Sequence, residues 1–222
     1  MPHRQRRPPG AITREAVVAA ALQVTDREGL DGLTIRAVAE GLAVPQMSLY
    51  ACFASRSELL DMMYAEVAGR MFAAVDCGTW QEDLVSVGES IRAMLGEHPN
   101  WAPLLTRSAP PLVSQPRERL LAKLESAGMS AEQAFTALSS VILGSLGLML
   151  VEFAMRTPTG ASGLDERLES LKGAVTDEPD FKVTRQALQR LEHFRLGTIH
   201  EQSLELLLKG FEAWTVGSTS TA

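Results

Sequence analysis

A short segment between residues 34 and 56 groups side chains whose chemistry suits contact with nucleic acid. Gln46, Met47 and Ser48 follow one another directly after a proline. A glutamine can pair with adenine through two hydrogen bonds, a serine can bond several bases, and an apolar side chain can contact the methyl group of thymine. Groups that could hold phosphate oxygens flank them at Thr34, Tyr50 and Arg56. This combination predicts a surface that contacts a DNA groove.

The spacing of apolar residues around this segment predicts two short helices joined by a tight turn. Thr34 is suited to cap the first helix, which would end near Gly41. Pro45 is suited to the first turn of the second helix, which would run through Tyr50. In a helix-turn-helix the second helix enters the major groove and the first braces it. Spacing alone leaves open that the two helices have only a structural role.

Helical signals also dominate the rest of the chain. Thr13 would cap a first helix that closes at Gly29, and Ser55 with Glu58 forms a capping-box pattern before a helix reaching about Val75. Further helices are predicted at residues 80–96, 100–105, 114–127, 130–156, 182–194 and 198–215. Segments 108–115 and 157–179 are rich in proline, glycine or serine and are predicted to be loops. Without any period-two alternation, the fold class is predicted to be all-α.

The net charge of −6 is unevenly distributed. Residues 1–60 contain seven arginines against six acids, a balance of +1, so the remaining residues hold −7. Three of these arginines, Arg4, Arg6 and Arg7, form a basic N-terminal arm. This distribution fits a protein that touches phosphate with one end, although a disordered soluble tail would have the same composition.

Catalytic and metal-binding patterns are not found in the sequence. His98, His193 and His200 stand apart from any nucleophile motif, phosphate-binding loop or paired carboxylates, and the two later histidines are expected to face solvent. Cys52 and Cys77 lack the spacing of a metal site, and Cys52 is expected to be a small apolar filler. We therefore expect no enzyme activity, no cofactor and no metal.

The sequence has no pattern typical of a signal peptide or of a membrane span. The basic, proline-rich N-terminus is not followed by an apolar run, so no signal peptide is predicted. The longest apolar stretch, residues 141–151, is too short to span a bilayer and is expected to be part of a buried helix. A cytoplasmic location without membrane contact follows as the expectation.

The segment from Gly32 to Leu60 resembles the DNA-binding signature of the tetracycline repressor (TetR) family. The resemblance rests on the run Ser48-Leu49-Tyr50, on Phe53 three residues after the tyrosine, and on the basic residue and Leu59-Leu60 that follow. It covers about residues 11–75, and the helix between Thr13 and Gly29 corresponds to the first helix of the family.

The resemblance implies a role for each matching side chain. Thr34 would cap the second helix at a phosphate, and Arg36 could reach a base or a phosphate. Tyr50 and Arg56 would hold the DNA backbone, whereas Leu49 and Phe53 would be core. The side chains facing bases would be Pro45, Gln46, Met47 and Ser48. Ala51 and Cys52 depart from the bulky or polar residues common there, so no operator sequence is carried over.

The rest of the chain resembles the tetracycline repressors more weakly. The similarity rests on Trp80-Gln81, Thr106-Arg107, the run from Ser130 to Ala134, and Leu146-Gly147, which occur in the same order. It implies a homodimer held together by a four-helix interface. Segments 130–156 and 198–215, which have long apolar faces, are the candidates. Burial of these faces within a single subunit is the alternative.

The metal–drug site of the tetracycline repressors is not expected here. Positions where those proteins use His, Asn and Glu to hold a metal–drug chelate are apolar in this chain, and only Arg107 keeps a polar match. A Mg²⁺ chelate needs oxygen ligands, which this set does not supply. The implied site is therefore metal-free and suits a lipophilic or aromatic effector. Its candidate residues are Phe72, Val87, Ile91, Met94, Trp101, Leu104, Arg107, Phe135 and Leu143.

Together these observations predict an N-terminal three-helix DNA-binding domain, residues 1–55, and a larger helical domain for ligand binding and dimerisation, residues 56–222. The predicted function is a repressor that binds a palindromic double-stranded operator as a homodimer and is released by a small effector. Two alternatives stay open. One is an activator on the same fold, and the other is a helical protein-interaction module that does not bind DNA.

Overall fold

The structure is a computed structural model that describes residues 12–76, 78–107, 114–155, 163–176, 179–190 and 196–216. Throughout these ranges the regular elements are helices, which confirms the predicted all-α class. The α-helices are α1 (Arg14–Gly32), α2 (Ile35–Gly41), α3 (Gln46–Leu49), α4 (Arg56–Arg70), α5 (Trp80–Glu97), α6 (Ala102–Thr106), α7 (Gln115–Ser126), α8 (Ala131–Ala154), α9 (Gly163–Val175), α10 (Lys182–Arg190) and α11 (Leu196–Val216). Short 3₁₀ helices occur at Pro99–Trp101 and Pro179–Phe181.

The described residues divide into two compact units. The first unit contains the chain up to Ala73 together with Met94–Ser114, and the second contains Ala74–Ala93 and the chain from Gln115 onward. The first unit thus holds α1 to α4 and α6. The second holds α7 to α11 and most of α5.

The first unit begins with a helix that is interrupted where the sequence predicted its end. Thr13 caps α1 by accepting a hydrogen bond from the Ala16 amide at 3.1 Å. Gly29, with φ 72° and ψ 175°, breaks the helical path before the chain continues to Gly32. Only glycine adopts this backbone region readily. The helix side that carries Val17 and Leu22 is buried in the core of this unit.

Helix α4 is capped almost as the sequence predicted. Ser55 accepts a hydrogen bond from the Glu58 amide at 3.2 Å. The Glu58 carboxylate accepts from the Ala54 amide at 2.7 Å, one residue before the capping serine. The same carboxylate pairs with Arg14 of α1 at 3.0 Å. Glu58 therefore fixes the start of α4 against the start of α1.

In the second unit a buried acid joins two helices. Asp83, in the first turn of α5, is fully buried and accepts a hydrogen bond from the Asp76 amide at 3.1 Å. Lys123 of α7 donates to the second oxygen of Asp83 and to the carbonyl of Gly78, the latter at 3.0 Å. A buried carboxylate is tolerated only when it is paired and hydrogen-bonded, so this cluster secures α5 to α7.

Helix α8 is long, strongly apolar and only partly covered. Ser130 and Gln133 form a complete capping box at its start. It is long enough for a membrane span, and its most apolar stretch of 18 residues has a mean hydropathy of 2.0. In the single chain, 39% of that stretch is buried. The predicted helix at residues 130–156 is therefore present, but much of its apolar surface is uncovered by the described chain. Helix α11 packs against it.

The structure corrects one predicted loop. Segment 157–179 contains α9, because Leu164, Leu168, Leu171 and Val175 recur at spacings of four, three and four residues, as an amphipathic helix requires. The glycines and prolines of this segment outweighed that pattern in the sequence-based prediction. The arginine arm, Cys77, His193 and most of the 108–115 loop lie outside the described residues.

Candidate DNA interface and effector site

The turn between α2 and α3 sets the direction of the second helix. Val44 donates a backbone hydrogen bond to the Ala39 carbonyl at 3.1 Å, and Ala43 has a positive φ of 54°. Left-handed backbone is unusual for a residue other than glycine, so the turn is tightly constrained. Pro45 has an extended ψ of 137° and precedes α3 as its N-cap. This corrects the prediction that Pro45 lies within the first turn.

Helix α3 separates its buried side from its exposed side. Leu49 is completely buried and Phe53, just beyond the helix, is 2% exposed. On the other side Met47 is 77% exposed and Tyr50 is 44% exposed. Gln46 is exposed and Ser48 is half-buried, as is Ala37 on the neighbouring helix. The structure thus brings together on one surface the residues that the sequence proposed for base contact.

The side chains proposed to contact phosphate differ in the hydrogen bonds that already hold them within the protein. The Thr34 hydroxyl accepts the Ala37 amide at 3.1 Å and so caps α2. Arg36 is exposed and donates to Glu40 at 2.7 Å, and this hydrogen bond raises the pKa of the guanidinium. Arg56 is exposed, with a weak hydrogen bond of 3.4 Å to the Leu30 carbonyl. Arg56 can therefore reach outward at little cost, whereas Arg36 must leave its carboxylate first.

Cys52 lies behind this surface. It is 5% exposed, and its thiol approaches the Ile12 carbonyl at 3.5 Å. The burial agrees with the sequence-based expectation of a small apolar filler. Together with Leu49 and Phe53 it forms the support on which the exposed face of α3 rests.

The nine candidate effector residues fall into three groups by exposure. The buried ones are Phe72, Val87, Ile91, Met94, Trp101 and Leu104. Arg107 is half-buried and donates to Asp61 of α4 at 2.6 Å. Phe135 is 53% exposed and Leu143 is 68% exposed, so the structure places these two on the surface of α8. The Arg117 guanidinium lies over the Phe135 ring, 5.5 Å from its centroid, which is within the limit of about 6 Å for a cation–π contact.

Trp101 lies in a polar surrounding that the sequence did not reveal. The His98 ring stacks on it at 3.9 Å, and the Arg70 guanidinium lies 5.0 Å from its centroid. His98 also meets the Asp26 carboxylate of α1 at 3.1 Å. The indole nitrogen of Trp101 is buried, and no residue that the structure describes accepts a hydrogen bond from it. These contacts join α1 and α4 to the 3₁₀ helix within the first unit.

His200 was expected to face solvent, and this expectation was wrong. It is 2% exposed, and its Nε2 lies 2.9 Å from the Ser145 hydroxyl of α8. Burial and the nearby Arg92 lower its pKa, against smaller opposite effects of Glu89 and Glu201. The signal was present in the sequence, because Leu204 and Phe211 share its helical face. No group of three or more potential metal ligands occurs among the residues that the structure describes.

Comparison with known protein families gives two matches that together span most of the chain. Residues 17–63 match the family described as bacterial regulatory proteins, tetR family. Residues 73–215 match the family described as tetracyclin repressor-like, C-terminal domain. The first match contains the helix-turn-helix, and the second contains α5 through most of α11.

Individual proteins give the same picture. The chain is 27% identical to an HTH-type transcriptional regulator of Saccharopolyspora erythraea, over 80% of this chain and 77% of that one. It is 32% identical to the class E tetracycline repressor protein of Escherichia coli, over 64% of this chain and 70% of that one. Among solved structures, ActR of Streptomyces coelicolor in complex with actinorhodin superposes with a TM-score of 0.73 at 25% identity, covering 96% of this chain and 100% of that one.

Proposed function

Because the chain belongs to the tetracycline repressor family, we propose that it is a ligand-responsive transcriptional repressor that binds a palindromic operator as a homodimer. The observation that supports this most directly is the exposed face of α3, where Gln46, Met47 and Tyr50 lie together while Leu49 and Phe53 hold the helix from behind. We also propose that the protein has no enzymatic activity and that it acts in the cytoplasm.

In the proposed complex α3 enters the major groove. Pro45, Gln46, Met47 and Ser48 would face base edges, where amide, hydroxyl and apolar groups can each contribute to sequence discrimination. Thr34, Arg36, Tyr50 and Arg56 would contact the backbone and fix the register of the protein on the duplex. We retain residues 1–55 as the DNA-binding region and residues 56–222 as the region for effector and dimer.

The dimer is proposed to form through α8 and α11. On α8, Leu143 is 68% exposed and Val151 is 48% exposed, and on α11 Leu206 is 70% exposed. Large uncovered apolar surfaces on a soluble chain mark an interaction site. A second copy is the partner that fits best, because a palindromic operator requires two equivalent heads about 34–36 Å apart or a multiple of this. We therefore assign Leu143 to the dimer face rather than to the effector.

The effector is proposed to be small, apolar and bound without metal. The buried candidates Phe72, Val87, Ile91, Met94, Trp101 and Leu104 supply apolar and aromatic surface, which suits a lipophilic or aromatic molecule. The relative ActR has been solved with actinorhodin. Ligand binding would release the operator by favouring a DNA-incompetent form, with a coupling free energy of about 1–3 kcal/mol.

DNA binding is tested first, by gel shift with DNA flanking the coding region at two salt concentrations. Tyr50→Ala and Arg56→Ala are expected to weaken specific binding at least about tenfold, and Arg56→Ala should lower the salt dependence by about one phosphate contact. Arg27→Ala removes an exposed arginine of α1 outside the helix-turn-helix and serves as the matched control. An activator would bind the same DNA but raise transcription from it in vitro.

The same gel-shift experiment also gives the result that would contradict the repressor proposal. If the wild-type chain shows no specific binding at either salt concentration, the repressor proposal is wrong and a protein-interaction module becomes the better account. Actinorhodin is the first effector probe, added to the preformed complex with and without EDTA. Release that is abolished by EDTA would contradict the metal-free site while leaving DNA binding intact.

A further inference from the structure

A cavity of about 160 Å³ lies between α8 and α11 in the second unit. Val141 and Leu148 of α8 and Leu204 and Leu207 of α11 supply its apolar walls. A cavity of roughly 150 Å³ is large enough to hold benzene. The size and lining therefore fit a single aromatic ring.

One polar group at this cavity has an unused hydrogen-bonding position. Ser145 and His200 both line the cavity, and the serine hydroxyl lies 2.9 Å from Nε2 of the histidine. Nδ1 of His200 is buried and has no hydrogen-bond partner within the part of the chain that the structure describes. Because unpaired buried polar atoms are costly, most native ones find a partner. A ligand that supplies one would gain affinity here.

The tautomer of His200 decides which chemical groups can serve. If Nε2 donates to Ser145, Nδ1 is a bare acceptor, and if Ser145 donates to Nε2, Nδ1 carries the proton and donates. A hydroxyl group can donate or accept, so it satisfies either arrangement. A carbonyl or an ammonium group satisfies only one. A hydroxyl is therefore the group that is compatible with both tautomers of His200.

The charge around the cavity and the space within it further restrict the class of ligand. The pKa of His200 is lowered by burial and by Arg92, so the imidazole is neutral near pH 7 and offers no counter-charge to an anion. A Cβ on Gly88 of α5 would come within 3.1 Å of both Leu204 and Ser145, so the packing behind the cavity is already tight. The space has no room to extend toward α5. A neutral ligand with one ring is favoured.

We propose that the cavity between α8 and α11 is a binding site for a small neutral aromatic alcohol, with its ring between the apolar walls and its hydroxyl hydrogen-bonded to Nδ1 of His200. Phenol is the simplest member of this class. The site is distinct from the candidate effector residues and from the DNA-contacting surface. It opens beside Gly144, which is exposed, on the face assigned to the dimer, so a second copy would cover its outer side.

The test compares phenol with toluene, which has the same ring but no hydroxyl, using the full-length protein. Dissociation constants are measured by NMR titration for the wild type, His200→Leu and the matched pair Ser145→Ala and Ser140→Ala. Ser140 lies on the same helix but bonds the Thr136 carbonyl instead. We expect phenol to bind the wild type and Ser140→Ala about tenfold more tightly than toluene. In His200→Leu the two should bind equally.

A second measurement covers the case in which His200→Leu does not fold. In the wild type the ¹⁵N resonance of the His200 Nδ1 should shift on addition of phenol and stay unchanged with toluene. Equal affinity for the two probes in the wild type, or a preference that persists in His200→Leu, would overturn the proposal. Binding seen only after Leu206→Glu has disrupted the dimer would also overturn the proposal, because it would mean that a side chain of the second copy fills the cavity in the wild type. Neither result depends on DNA binding.

Discussion

His200 is buried, and its surroundings in the folded protein favour the neutral imidazole. Its surroundings are Ser145 on α8, Glu201 on its own helix, and Arg92 and Glu89 on α5. Burial is the largest influence and lowers the pKa below its ordinary value of 6.5, and Arg92 acts in the same direction. Protonation would place a second cation near Arg92, whose buried Nε has no hydrogen-bond partner among the described residues.

Lowering the pH is therefore expected to destabilise the protein through this residue. A histidine with a lowered folded-state pKa contributes its full stability above about pH 6.5, where the unfolded chain is also neutral, and loses it as the pH falls further. Urea unfolding between pH 7.5 and 5 should show a decline in the free energy of unfolding that is smaller in His200→Gln. Identical pH dependence in both proteins would refute this account.

The pair between Lys123 and Asp83 is the other residue-level contact on which stability depends. Asp83 is fully buried, whereas the Lys123 side chain is 27% exposed. Replacing only the lysine, as in Lys123→Met, leaves a buried carboxylate without its cation and should cost about 3–5 kcal/mol. Chemical denaturation measures this loss.

Two further variants separate the charge effect from lost packing. Lys209→Met removes an exposed lysine that pairs with Glu205 at 2.6 Å, and it should have little effect on the free energy of unfolding. The double variant Lys123→Met with Asp83→Asn should recover much of the loss, because no unpaired charge remains. A double variant as unstable as Lys123→Met alone would show that the lysine contributes mainly by packing.

At the scale of elements, Gly29 determines how α1 ends. Its φ of 72° and ψ of 175° lie in a region that only glycine occupies readily, and a Cβ there would meet nothing within 4 Å. Gly29→Ala should therefore cost about 1–3 kcal/mol through backbone strain alone. Gly69 of α4 has the same open space but a helical backbone, so Gly69→Ala should stabilise by about 0.4–1 kcal/mol. Thermal unfolding that ranks the two variants in the opposite order would contradict this.

The helices themselves could be predicted because their signals are local. Thr13, Thr34 and Ser55 were identified as caps from their neighbours along the chain, and each accepts the expected backbone amide. Helix α9 was missed because breaker residues flank it. Pro45 was misplaced by one position, because the sequence does not show whether its ψ is helical or extended.

The contacts that join helices could not be predicted in the same way. Lys123 lies 40 residues from Asp83, and His200 lies 55 residues from Ser145. They meet only in the fold, where the Lys123 side chain of α7 reaches the start of α5 and where α8 packs against α11. The candidate DNA contacts could be proposed together because they share one short segment, whereas the candidate effector residues are spread from Phe72 to Leu143.

At the scale of the whole molecule, the apolar face of α8 and α11 remains exposed to solvent in a single chain. Leu206→Glu places a charge on this face at a side chain that is 70% exposed, so the fold of one copy should be unaffected. The variant is expected to be a monomer by light scattering and to lose specific DNA binding by at least about tenfold. Val183→Glu alters an apolar residue on α10 that is 80% exposed, outside this face, and should stay dimeric. A dimeric Leu206→Glu protein would place the interface elsewhere.

The exposed apolar surface of α8 also makes protein concentration a thermodynamic variable. If a second copy covers that surface only in the native state, mass action ties folding to association, and the melting temperature should rise when the same sample is made more concentrated. Dilution then removes both the cover and part of the stability. When the total concentration of the protein falls, the concentration of the dimer therefore falls more steeply than the total.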